Sequence, residues 1–199
     1  LSAHIPNSSK FDLLSSYIQE ISEDLFFKKK LATFTITKNE KKINIHFPYK
    51  KLGQISSKDF FNLNELIFTS YYTFSKNIYD KFADIGACLG FHGIIFSKYN
   101  QKNVDFFEPD PQTFQILNEY IKLNDLKDYE SYNKAVYFKE GQISFNRLDE
   151  NNTGSHIAGS KENVYGSVSV IKVDTLSFDT LLKKKYNLIK MDIEGSELD

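Results

Sequence analysis

The chain has one cysteine, one methionine, four prolines and no tryptophan among 199 residues. A single cysteine, Cys88, cannot close an intrachain disulfide, which fits a reducing compartment and makes a cytoplasmic protein the expectation. No sign of charge dominates. A formal net charge of −1 removes the simplest case for a non-specific nucleic-acid or anionic-membrane binder, because counterion release needs a basic face. No apolar run approaches the roughly 20 residues that span a bilayer, and no signal peptide is visible. No His/Cys/Asp/Glu cluster has metal-ligand spacing, so no metal is expected. There is no internal repeat and no low-complexity tract. An initiating Met is missing, and the chain stops at Glu197-Leu198-Asp199 where a helix should start, so it reads as a piece of a longer frame.

What is present suits a packed α/β protein. Hydrophobic residues make up 41% and aromatics 15%, which places the chain in the globular class. Residues 1–76 read as an extension of helix, hairpin and helix. The first helix spans 8–27, capped by Ser8 or Ser9, with Phe11, Leu14, Ile18, Ile21 and Leu25 as its buried stripe. Lys28-Lys29-Lys30 suits the C-terminal end of its dipole, as a solvated end or a phosphate contact. Ala32, Phe34 and Ile36 alternate, as do Ile43, Ile45 and Phe47, which predicts a hairpin with one apolar face. A second helix carries Phe60, Leu63, Ile67, Tyr71 and Phe74 inward.

From residue 77 to 199 the rhythm is strand, helix, strand, helix, which predicts a mostly parallel sheet covered on both faces. The strands are Phe82 to Ile85, Val104 to Phe107, a third over Tyr132 to Tyr137, and Leu188 to Asp192. Between the first two lies a helix bearing Phe91, Ile94, Ile95 and Tyr99 above an otherwise polar face. Asp110-Pro111 opens the next with an N-cap and a proline at the first position. Ile143 to Phe145 and Val168 to Val173 look like an antiparallel insertion joined by a polar loop, 149–163. A short helix over Ser177 to Lys185 precedes the last strand.

The chemistry sits at the strand ends. Gly86-Ala87-Cys88-Leu89-Gly90 follows the first strand and opens a helix, the position of a nucleotide-binding turn. Glu108 closes the second strand, where a carboxylate can accept both hydrogen bonds of a ribose diol. A dinucleotide fingerprint needs a middle glycine that this turn lacks, and Asp84 at its start would repel a pyrophosphate. An acid there favours a ligand with an ammonium and a sulfonium. No P-loop motif occurs. Lys190 lies inside an apolar strand and needs a carboxylate partner. Asp192 and Glu194 stand where an acceptor's proton could be taken, or serve as helix N-terminal acids. His156 is either a general base or a solvated loop residue.

Asp84-Ile85-Gly86-Ala87-Cys88-Leu89-Gly90, Phe107-Glu108-Pro109-Asp110-Pro111, Lys134-Ala135-Val136, Val173-Asp174-Thr175-Leu176 and Leu188-Ile189-Lys190-Met191-Asp192-Ile193-Glu194-Gly195-Ser196-Glu197 occur in the order found in FkbM-type methyltransferases. The chain resembles that family over residues 78–199. The resemblance implies a class I, Rossmann-like methyltransferase fold lacking its C-terminal strands, with S-adenosylmethionine as cofactor and a hydroxyl on a small molecule or glycan as acceptor. It implies cofactor binding by Asp84, Gly86, Ala87, Cys88, Gly90, Glu108, Pro109, Lys134, Ala135 and Asp192. Cys88 stands where the family usually has Asn, and His92 where it often has an aromatic residue. Two other readings are a nicotinamide-dependent oxidoreductase and a non-catalytic binding module on the same scaffold.

Overall fold

The structure is a computed structural model, and it describes residues 9–28, 33–38, 40–49, 51–52, 55–74, 78–148, 156–157 and 168–193. Ser8, Lys29, Lys30, Ala32, most of the 149–163 loop, and Glu194 onward lie outside these residues.

The centre is a four-stranded parallel sheet in the order β12-β5-β6-β7, where β5 is Lys81–Ile85, β6 Asn103–Phe107, β7 Tyr129–Tyr132 and β12 Leu188–Met191. Alternation along the strands sorts two cores. Phe82, Val104 and Phe106 face helices α3 (Phe91–Asn100) and α4 (Pro111–Leu123), meeting Ile94, Ile95, Phe96, Leu117 and Ile121. Ala83, Ile85 and Phe107 face the other way, toward Leu181 of helix α5 (Phe178–Lys183). Helices therefore cover both faces, as the strand-helix rhythm implies. Asp110 caps α4, its Oδ1 accepting from the amides of Gln112 and Thr113 at 2.8 and 3.0 Å, and Pro111 follows at the first position.

The single third strand expected over 132–137 is two strands in two sheets. β7 ends at Tyr132, and β8 (Ala135–Tyr137) belongs to a second sheet of order β10-β9-β11-β8. Asn133 makes the break: its side-chain amide donates to the carbonyls of Glu108 and Pro109, both at 2.9 Å, and turns the chain off the sheet. In the second sheet β9 (Gly141–Leu148) and β11 (Val168–Ser177) form the expected antiparallel pair, while β8 joins β11 in parallel. β10 (His156–Ile157) adds to the outer side of β9.

Ahead of the parallel sheet come α1 (Ser9–Ser22) with a wider π-helical turn over Glu23–Lys28, the hairpin β1 (Thr33–Lys38) and β2 (Lys41–His46), the short strands β3 (Lys51–Leu52) and β4 (Ile55–Ser56), a 3-10 turn Ser57–Phe61, and α2 (Leu63–Phe74). This segment packs onto the sheet's helical layer. Phe47, fully buried just past β2, stands edge-on to Phe61, Phe91 and Tyr120 with centroids 4.9 to 6.3 Å away. Edge-on rings place a positive rim on a negative face, and each such pair adds about 1 kcal/mol beyond area burial. Asn124 exchanges two side-chain hydrogen bonds with the backbone of His46, at 2.8 and 2.6 Å.

Docking of this segment changes three expectations. Every residue of α3 from Phe91 to Ser97 is buried, so its polar face is covered instead of solvated. In α1 the stripe through Leu14 and Ile21 is exposed, and the covered line reaches Ser22, whose hydroxyl donates to the Phe61 carbonyl at 3.1 Å. In α2, Ile67 and Tyr71 are exposed; the buried side runs through Thr69, Tyr72 and Thr73. Tyr72 decides the rotation, because its ring lies against Phe82 and Phe96 and its hydroxyl bonds His92.

Candidate functional site

The glycine turn is held at its start by the sheet. The amides of Gly86 and Ala87 both donate to the Phe107 carbonyl, at 2.9 and 3.0 Å, tying the turn to the end of β6. Gly86 has φ +68°, and a Cβ there would lie 1.9 Å from the carbonyl oxygen of Asp192. Glycine is thus required by the backbone that follows β12, not only by a ligand. Gly90, at φ +78°, leads into α3, and a Cβ on it would strike Leu117 at 2.4 Å. Between them Cys88 adopts φ +50°, the left-handed region that Asn tolerates far better than Cys. Burial pushes the Cys88 thiol well above its ordinary value, with the Glu108 charge adding to the effect.

Two carboxylates flank the turn in different states. Asp84, the fourth residue of β5, is fully buried; its Oδ2 accepts from the Gly93 amide at 3.0 Å. Its Oδ1 is buried with no hydrogen-bond partner, and the Lys190 ammonium stands 3.5 Å away. Glu108 at the end of β6 is buried and accepts two amides, Oε2 from Cys88 and Oε1 from Asp110, each at 2.9 Å. Burial lifts its carboxyl to about 7, against the pull of those two amides. A group so balanced changes charge when a neutral diol donates to it.

Lys190 has the carboxylate partners its place in an apolar strand demands. Its Nζ donates to the Gly86 carbonyl at 2.9 Å and lies 3.5 Å from Asp84 and 3.7 Å from Asp192. Burial works against the ammonium, and the charges of Asp84 and Asp192 more than compensate, leaving its pKa above the ordinary lysine value. Asp192 itself is mostly exposed, while its amide donates to the Ile85 carbonyl at 3.1 Å and so holds the loop against β5.

The remaining expected residues divide. Pro109 is half-buried beside Glu108, with its carbonyl bound by Asn133. Ala135 is buried on β8 opposite Thr175, and Lys134 precedes it on the crossing between sheets. His156 lies on β10 opposite Asn146, at the outer side of the second sheet. Glu194 is outside the described residues. Among the described residues no group of three or more His, Cys, Asp or Glu side chains could hold a metal ion, and no helix is long and apolar enough to cross a membrane.

Two elements of the site carry no motif. His92, next to the turn, places Nε2 2.6 Å from Glu65 of α2 and bonds the Tyr72 hydroxyl through Nδ1. The hydrogen bond and charge of His92 hold the Glu65 carboxyl below its usual value, against its burial. Arg147 of β9 places Nε 3.1 Å from the buried Asp110 carboxylate, fastening the antiparallel insertion to the loop that carries Glu108. His92 is visible in the sequence as a departure at an aromatic position; its partner lies 27 residues upstream, beyond any local pattern.

A parallel sheet that presents a glycine turn, a buried acid before it and a second acid at the next strand end has the layout in which α/β folds receive nucleosides. Residues 84–199 match the model of the methyltransferase FkbM domain. The chain belongs to that family, and with it comes S-adenosylmethionine as the cofactor. No curated protein matches the chain. Among solved structures it is similar to M. jannaschii TYW2 in complex with AdoMet (19% identity, TM-score 0.33, covering 50% of this chain and 42% of that one). It is also similar to P. horikoshii TYW2 in complex with MeSAdo (17%, 0.37, covering 64% and 50%) and to Trm5b from Pyrococcus abyssi (13%, 0.33, covering 72% and 58%). The chain thus spans about half the length of these proteins.

Proposed function

We propose that this chain is the donor-binding part of an S-adenosylmethionine-dependent O-methyltransferase of the cytoplasm, acting on a hydroxyl of a small molecule or glycan. The observation that carries the reading is Asp84: a fully buried carboxylate beside the glycine turn with one oxygen unpartnered. A buried acceptor left open in this way costs about 1–3 kcal/mol unless something donates to it. The ammonium of a bound methionine group is a fitting donor.

When bound, S-adenosylmethionine supplies an electrophilic methyl group on a sulfonium. Asp84 and the carbonyl of Gly86 receive the ligand's ammonium, and Gly86, Ala87, Cys88 and Gly90 give the turn its close backbone. Glu108 accepts from the ribose hydroxyls. Pro109, Lys134 and Ala135 border the adenine. The residues 77–199 form the methyltransferase domain and 1–76 an extension that covers α3 and borders the acceptor side. Methyl transfer needs alignment, exclusion of water and, for an alcohol, a proton acceptor. Asp192, exposed at the end of β12, takes that role, with Glu194 and His156 as the alternatives.

The test is calorimetric titration of the full chain with S-adenosylmethionine, beside Glu108→Ala, followed by transfer of a labelled methyl group to a panel of methyl glycosides. Wild-type protein should bind at least about tenfold more tightly than the variant, the equivalent of about 1.4 kcal/mol. Equal binding by the two proteins would contradict the reading.

A further inference from the structure

The two open acceptors of the site are already visited by a cation, and that cation belongs to the protein. Lys190 on β12 is the register partner of Asp84 on β5, so both side chains leave the sheet on the same face. Its Nζ donates to Gly86 O at 2.9 Å and approaches the unpartnered Asp84 Oδ1 to 3.5 Å, just beyond hydrogen-bond reach. An ammonium has three donors, and only the bond to Gly86 O is of good length here. Asp192 Oδ2 waits 3.7 Å away, on a side chain that is 65% exposed.

Charge counting gives the arrangement a direction. Asp84 and Asp192 bring two negative charges and Lys190 one positive charge, so the cluster accommodates one more cation. Glu65 and Glu108 also lie within electrostatic reach of Lys190; Glu65 is engaged by His92, and Glu108 by the amides of Cys88 and Asp110. If a ligand's ammonium takes Gly86 O and Asp84, Lys190 has a partner in Asp192 at little further separation.

Resting on the donor-site reading above, we propose that Lys190 is a stand-in for the ligand's ammonium: it occupies the Gly86 carbonyl and Asp84, and yields them by turning to Asp192 when the ligand binds. Lys190 thereby sets how strongly the site discriminates ligands that carry the amino-acid group from those that lack it. It keeps the buried Asp84 compensated in the empty site, and it subtracts from the affinity that the ligand's ammonium would otherwise supply.

The experiment compares two probes on the full chain by calorimetry: S-adenosylhomocysteine, which carries the ammonium, and 5′-methylthioadenosine, which lacks the amino-acid portion. Lys190→Met should tighten S-adenosylhomocysteine about tenfold, the worth of one charge-assisted hydrogen bond, while 5′-methylthioadenosine changes by less than about twofold. A weaker S-adenosylhomocysteine in the variant would mean that Lys190 holds the ligand's carboxylate, and an unchanged ratio would mean that Lys190 never competes; either result overturns the proposal. Wild-type protein that binds neither probe would overturn the donor-site reading as well, so the two failures are told apart. Should Lys190→Met not fold, wild-type protein labelled with a trace of acetic anhydride, far below the probe concentration so that the probe's own amine stays intact, gives the same answer. Acylation of Lys190 should rise on saturation with S-adenosylhomocysteine and not with 5′-methylthioadenosine. Equal or reduced labelling with S-adenosylhomocysteine would overturn the stand-in role.

Discussion

Two aspartates are buried on neighbouring strands of the parallel sheet, Asp84 on β5 and Asp105 on β6, and they end in opposite conditions. Asp105 points to the α5 side. Its Oδ2 receives the Tyr186 hydroxyl and lies 3.6 Å from Lys81 and 3.5 Å from Lys184. Lys184 is shared with Glu130 at 2.7 Å and sits over the ring of Tyr132. Asp84 points to the α3 side, with one amide on Oδ2 and, on Oδ1, no hydrogen bond but a lysine at 3.5 Å. A buried carboxylate enclosed by cations and a hydroxyl is finished as structure. One with an open oxygen beside a glycine turn lacks a donor that a ligand could supply. Glu108 stands between the two, satisfied by two amides with the Lys190 charge within electrostatic reach.

The largest expected effect is on Asp105. Removing its charge leaves Lys81 and Lys184 facing a neutral amide, which keeps only the Tyr186 bond, so Asp105→Asn should lose about 3–5 kcal/mol of stability in urea unfolding. Molecules that still fold should bind S-adenosylhomocysteine as the wild type does. Impaired binding at intact fold would erase the distinction drawn between the two aspartates.

Glu108 should come next, and its effect depends on pH. Its folded carboxyl titrates near 7 and its unfolded one near 4.5, so the native state holds the proton more tightly. The stability it contributes is full below pH 4.5 and is lost as pH rises to 7. At about 1.4 kcal/mol for each pH unit between the two values, the loss comes to about 3 kcal/mol. Unfolding free energies measured from about pH 4.5 to 8 should show that decline in wild type and a flatter profile in Glu108→Gln. A diol that donates to the carboxylate should reverse it, so ligand binding near neutral pH should release protons, seen as an enthalpy that varies with buffer ionisation.

Tyr186→Phe sharpens the comparison at smaller scale. Deleting the hydroxyl removes one donor from Asp105 while both lysines stay, so the loss should be about 1.5–3 kcal/mol, the range for a hydrogen bond to a charged group. A loss as large as that of Asp105→Asn would show that the lysines do little for the buried charge. Smallest of all in stability should be Asp84→Asn. The amide oxygen can keep the Gly93 bond and Lys190 keeps Gly86 and Asp192, so no more than about 1 kcal/mol should go.

Much of this contrast is open to reading along the chain. Asp84 before the turn, Glu108 at the next strand end, the Asp110-Pro111 cap and the need of Lys190 for an acid are local patterns, and local geometry fixes them. What depends on distant residues is not legible. Gly86 is obliged by the carbonyl of Asp192, which follows a strand far along the chain. The inward sides of α1 and α2 depart from the expected stripes because each helix has two apolar lines, and Ser22 and Tyr72 choose between them through partners in other elements. The third strand looks continuous in sequence because Asn133 acts on the Glu108 loop rather than on its own neighbours. Asp105 gives no sequence signal, since its partners Lys81, Lys184 and Tyr186 assemble only when β5, β6 and α5 are packed. The family resemblance reaches the residues proposed to hold the cofactor, while the Glu65–His92–Tyr72 contact lies partly outside the stretch it covers.

What the open oxygen of Asp84 is for decides between a ligand site and a merely strained interior. Titrating S-adenosylhomocysteine into wild type, Asp84→Asn and Asp105→Asn, each first shown to be folded, puts that question to one measurement. Asp84→Asn should weaken binding about tenfold or more while Asp105→Asn stays near wild type, since only the first charge meets the ligand's ammonium. Equal affinities in Asp84→Asn and wild type would contradict the central claim.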